Sequence, residues 1–155
     1  MVTGIENTNS EIIVFIDADL SNLDDAHFFQ LINPLLKKEA DMVLGLPGET
    51  LINYNLNPFK SFTGERALLR NDILTIVDKM KNSRFGVEIL INLYYQSEGK
   101  TVKYVVLKDL KHPIKFEKVS KQQAVKEFIK EGHQIALTAF KHFDLITSSI
   151  KMKLK

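Results

Sequence analysis

Residues 12 to 16, IIVFI, form an unbroken apolar, β-branched and aromatic run that ends on Asp17 and Asp19. Such a run predicts a strand covered on both faces, the pattern required of a parallel sheet between helix layers. Ser21, with Asp24 three positions later, predicts a capped helix running through Phe28, Phe29 and Leu31 to about Lys37, kinked at Pro34. The segment ADMVLGLPG predicts a second strand, closed by Gly45, Pro47 and Gly48, with a loop around NYNLNP after it. In TGERALLRNDILTIVDKM the residues Leu68, Leu69, Ile73, Ile76 and Val77 recur at helical spacing, and GVEILINLYYQSEG reads as another helix. KTVKYVVLKDL predicts a strand, KHPIKFEK a loop, and everything after Ser120 a helical tail broken near Gly132. The order βα, β, αα, β, αα predicts an α/β fold with a mixed sheet and flanking helices.

Composition narrows the class. The chain has 155 residues, 45% hydrophobic and 26% charged, which suits one globular domain with a true core. It has no cysteine, which removes disulfides, thiolate metal sites and cysteine nucleophiles and permits a reducing compartment, so the expected location is cytoplasmic. No apolar stretch is long enough to cross a bilayer, and the N-terminus lacks the layout of a signal peptide.

The formal net charge of +2 hides a gradient. Residues 1 to 50 hold nine acids against Lys37 and Lys38, whereas residues 118 to 155 hold eight lysines against Glu127, Glu131 and Asp144. The acidic end favours a cation, and the basic end an anionic surface or a solvated helix face.

Two aspartates closing a buried strand need explanation. Residues two apart on a strand point the same way, so Asp17 and Asp19 are expected to project together at the carboxyl end of the sheet, where open α/β folds place ligands. Ala18 between them keeps the approach clear. Paired carboxylates repel unless a cation joins them, and hard oxygen donors select Mg²⁺ or Mn²⁺. The plainer reading is that one aspartate caps the next helix and the other is solvated.

IIVFIDADLSN, SFTGERALLRNDIL and RFGVEILINLYYQSEGKTVKYVVLKDLKHPIKFEK together, in this order, resemble the later portion of a family 2 glycosyltransferase domain of the GT-A fold. The similarity is to the branch holding dolichyl-phosphate-sugar synthases and glucosyl-phosphoglycerate synthases, and it runs from about residue 5 to residue 118. It implies a domain over 1–118 with a helical tail over 119–155, packed on it or lying at a surface. It also implies glycosyl transfer from a nucleotide-sugar donor to an acceptor that is phosphorylated or lipid-linked. Asp17 and Asp19 match the D-x-D that binds metal and donor diphosphate, and His112 matches a histidine that completes the metal site in some members. Glu88 matches a helical glutamate near the acceptor, suited to orienting or deprotonating its hydroxyl. Thr63, Gly64 and Arg66 match an acceptor-side loop entering a helix, where backbone N–H groups and Arg66 would meet an anionic group. For each the plainer reading stands beside it: a surface histidine, a solvated helix acid, a helix cap.

Intact members of that family place a strand, a helix and further strands ahead of the D-x-D, and these bind nucleobase and ribose. This chain reaches its D-x-D at Asp17. The expectation is therefore an N-terminally truncated domain that self-associates through residues 11 to 17 or takes the missing strands from a partner. Two other readings remain. One is an inactive remnant serving as an interaction module, and the other a phosphatase of the haloacid dehalogenase type, with Asp17 as nucleophile and Asp19 as acid/base. The tail contributes Val125, Phe128, Ile129, Ala136, Phe140, Phe143 and Ile150 as an apolar stripe with lysines between them. It suits core packing or a basic amphipathic surface at the inner face of a membrane. No nucleic-acid partner is expected.

Overall fold

The computed structural model describes residues 1–47, 63–81, 86–110, 136–137 and 140–153. In chain order the elements are α1 (Val2–Asn7), β1 (Ile12–Phe15), α2 (Asp25–Leu36), β2 (Met42–Pro47), β3 (Arg66–Leu69), α3 (Arg70–Leu74), α4 (Val77–Lys81), α5 (Val87–Ser97), β4 (Val102–Leu107) and α6 (Phe143–Lys153). The strands form one mixed sheet in the order β1-β3-β2-β4. β3 runs antiparallel to both neighbours, with Val14 opposite Ala67 and Val43 opposite Ala67, and β2 pairs in parallel with β4, Leu44 opposite Tyr104. The carboxyl ends of β1, β2 and β4 and the start of β3 therefore share one end of the sheet.

Alternation along the strands splits the core into two layers. Met42, Leu44 and Leu68, with Ile13 and Phe15 beside them, pack under Leu90, Ile91 and Tyr95 of α5, Ile73 of α3 and Leu145 of α6. Val43, Ala67 and Leu107, with Ile12 and Val14, face Leu31 and Leu35 of α2 on the other side. Helices on both faces explain why the strands read as continuous apolar runs rather than alternating ones. Among the described residues β1 is an edge strand, half-buried along its whole length.

Three expectations change. The stretch from Arg66 to Leu69 is a strand, not the start of a helix, and helix begins only at Arg70. A short apolar run covered on both faces shows no period, so the spacing of Leu68 and Leu69 to Ile73 was shared by chance between two elements.

Helix α2 is capped by Asp24 rather than by Ser21. The Asp24 side chain accepts from the His27 N–H at 3.2 Å, while His27 Nδ1 accepts from the Asp24 N–H at 3.1 Å, so two orphan donors are satisfied reciprocally. This leaves the ring proton on Nε2, which donates to the carbonyl of Lys108 at 2.7 Å.

In the tail, Leu145 of α6 is buried in the core, whereas the stripe members Ala136, Phe140 and Phe143 are exposed; Val125, Phe128 and Ile129 lie outside the described residues. Pro34 stands inside α2, where the sequence places it.

Candidate functional site

Asp17 follows β1 by two residues, and Asp19 lies in the turn beyond it, both exposed. Because the strand stops at Phe15, strand alternation does not govern where the two carboxylates point. What positions Asp17 is contact with the segment before β3. A Cβ built on Gly64 would lie 2.3 Å from Asp17 Oδ1 and 2.5 Å from both Cγ and Oδ2. The whole carboxylate thus rests on the face of Gly64, and only a residue without a side chain permits that approach.

The Thr63–Arg66 segment is held from below. Thr63 Oγ1 donates to the carbonyl of Gly45 at 2.7 Å and is also hydrogen-bonded to the Glu65 carboxylate. The Gly45 N–H donates to the Glu65 carbonyl at 2.8 Å. Arg66, facing α5 from the same side of β3 as Leu68, is only 1% exposed. One arm of its guanidinium donates to the Thr63 carbonyl, the other more loosely to the Glu88 carbonyl at 3.5 Å and to Asn92 Oδ1 at 3.4 Å. Burial holds its pKa down to about 10, against the opposing pull of Glu88, Glu65 and Asp17. It remains a cation at neutral pH, the positive centre behind the Asp17 carboxylate.

One further pair of ties joins this end of the sheet. Besides the His27 bond to Lys108, Asn22 Nδ2 donates to the carbonyl of Asp109 at 3.3 Å. Asn22 and Asp109 both adopt left-handed backbone, with φ of 64° and 62°. Asn and Asp tolerate that region better than most residues. The loop after Asp17 is thereby fastened to the turn that follows β4.

The structure therefore brings together Asp17, Thr63, Gly64, Arg66 and Glu88, contributed by three separate stretches of chain. Asp19 is exposed next to them, and His112 lies outside the described residues. Arg66 differs from expectation in its surroundings: it belongs to a strand, and its guanidinium is engaged by protein carbonyls and Asn92 rather than turned to solvent. Among the described residues no three His, Cys, Asp or Glu side chains converge as a ready-made metal cage. Sequence reasoning missed Gly45, Asn92 and the His27 and Asn22 ties. Asn92 had a signal, a lone amide in the apolar run EILINLYY. The ties had none, since each pairs residues more than eighty positions apart.

No family model matches the chain, and no curated protein matches it. Solved structures do. Glucosyl-3-phosphoglycerate synthase from Mycobacterium tuberculosis, in complex with Mg²⁺ and uridine diphosphate, is similar at a TM-score of 0.64 and 19% identity, over 89% of this chain and 51% of that one. The same enzyme with Mn²⁺, UDP-glucose and phosphoglyceric acid is similar at a TM-score of 0.63 and 19% identity, over 96% of this chain and 52% of that one. Its complex with phosphoglyceric acid alone gives a TM-score of 0.54 and 21% identity, over 76% and 47%. The likeness shows the fold, a mixed α/β GT-A architecture, and the chain spans about half the length of these structures.

Proposed function

We propose that this chain forms the metal- and acceptor-side part of a glycosyltransferase that moves a sugar from a nucleotide-sugar donor. The observation that carries the reading is the Asp17 carboxylate seated on Gly64 at the carboxyl end of the sheet, with the Arg66 cation behind it. Similarity to structures holding Mn²⁺ or Mg²⁺ with uridine diphosphate or UDP-glucose supports it.

The donor set fits a hard divalent ion. Asp17 and Asp19 supply exposed carboxylate oxygens, and an ion held by two carboxylates keeps positions for diphosphate oxygens and water. Asp17 and Asp19 would hold the ion, with His112 as a further donor. When bound, the ion would neutralise the diphosphate as it leaves. The protein's own part is to hold the Asp17 carboxylate in place on Gly64 with the Arg66 cation nearby, and to present Glu88 from the first turn of α5 toward an acceptor hydroxyl as orienting group or base. Thr63 and Gly64 form the loop that an acceptor would meet.

Calorimetric titration of Mn²⁺ tests this. Asp19→Ala is expected to lower affinity by at least about tenfold, and His112→Ala by a smaller factor. Equal affinity in wild type and Asp19→Ala would sink the metal site. Unchanged affinity in His112→Ala alone would remove only His112 from it.

The exposed edge completes the proposal. Ile12 to Phe15 contain no charge, proline or glycine, and such an edge leaves N–H and C=O groups ready to pair with another chain. We expect the purified chain to self-associate through this edge or to accept a strand from a partner there. Sedimentation velocity on the purified chain should show species larger than a monomer, and Val14→Lys should shift them toward monomer. A wild type that sediments as a single monomer and melts sharply overturns the expectation.

A further inference from the structure

The stretch leading into α6 leaves large apolar side chains bare. Leu137, Phe140 and Phe143 are 54%, 82% and 61% exposed. Seven large hydrophobic side chains are exposed among the described residues, and these three fall within seven positions, so they form a concentration rather than the usual scatter. Leu145, two residues on, is buried in the core, which anchors α6 and leaves Phe143 outward. In sequence, lysines predominate beside them. From residue 136 onward the chain has Lys141, Lys151, Lys153 and Lys155 against a single acid, Asp144, which in turn lies 3.7 Å from Lys79 of α4. Lys141 and Lys151 are exposed.

We propose that this face docks on an anionic lipid bilayer, Phe140 and Phe143 entering the headgroup boundary and the lysines lying against the acidic headgroups. Aromatic and aliphatic side chains flanked by lysines gain from both parts of such a surface, apolar burial below and attraction to anionic lipid above. A water-facing role leaves the two phenyl rings unexplained, and a purely electrostatic partner leaves them unused. No helix among the described residues is long and apolar enough to cross a membrane, so the contact is with a surface.

The test is flotation of the full chain with vesicles of phosphatidylcholine containing about a third phosphatidylserine. Wild type should float with these and far less with phosphatidylcholine alone. The double variant Phe140→Ser, Phe143→Ser should lose roughly a hundredfold in partitioning, because two buried side chains of this size account for at least that factor. As the chain has no tryptophan, Phe143→Trp gives a single reporter, and its emission should move to the blue on adding the acidic vesicles. Equal flotation of wild type and the double variant, or no spectral change, overturns the proposal. So does an oligomer that the double variant dissolves while wild type ignores vesicles, for then the face would be an interface between copies.

Discussion

Replacing Arg66 with methionine should lower the thermal midpoint by roughly 10 °C, the largest stability effect we expect from any single substitution at this end of the sheet. The side chains are similar in length and Met is compatible with a buried strand position, so volume is not the issue. What is lost is the guanidinium that donates to the Thr63 and Glu88 carbonyls and to Asn92. Those acceptors are left facing a thioether, and the carboxylates of Glu65, Glu88 and Asp17 lose the cation that offsets them. Removing one member of a buried charged network typically costs about 3–5 kcal/mol, and a domain of this size moves about 2–4 °C per kcal/mol. Two of the three bonds are long, which places most of the effect on the bond to Thr63 and on the electrostatics. A melt within about 2 °C of wild type would show that Arg66 does not hold the segment. Adding Asn92→Leu to Arg66→Met should restore part of the loss, since it removes one acceptor left without a donor.

Much of this frame was legible in the sequence, for reasons that vary by element. IIVF and MVLGLP announced strands because burial on both faces demands continuous apolar runs, and VEILINLYYQS announced a helix because eleven residues are enough for the period to show. RALL failed because four apolar residues carry no period, and the helix after it supplied a false one. The capping of α2 was misplaced by three residues. The true cap uses a histidine where glutamate is the usual partner, and that histidine is selected by a carbonyl across the fold at Lys108. Asp17 could be singled out from its strand, but not the surface it rests on. Contact between Asp17 and Gly64 arises from pairing β1 with β3, a relation between segments about fifty residues apart that no local pattern encodes.

Gly64→Ala separates the site from the fold. The added methyl would fall 2.3 Å from Asp17 Oδ1 and 2.5 Å from Cγ, distances that real Cβ atoms essentially never show, so something must move. What moves is the far end of an exposed side chain rather than backbone, and the cost to stability is correspondingly small. We expect the Gly64→Ala melt to stay within about 2 °C of wild type. The cost to geometry is not small. A shift of the Asp17 carboxylate by the ångström or more needed to clear the methyl takes it out of its present place against the field of Arg66. On the proposed reading, Mn²⁺ affinity should then drop by about ten- to a hundredfold, the range found when a ligand keeps its identity but loses its support. Calorimetry and a melting curve on the same preparation decide it. Lowered affinity with an unchanged melt places the function of Gly64 in clearing room for Asp17. Unchanged affinity means that Asp17 binds no ion from this position, and a lowered melt means that the loop, not the carboxylate, gave way.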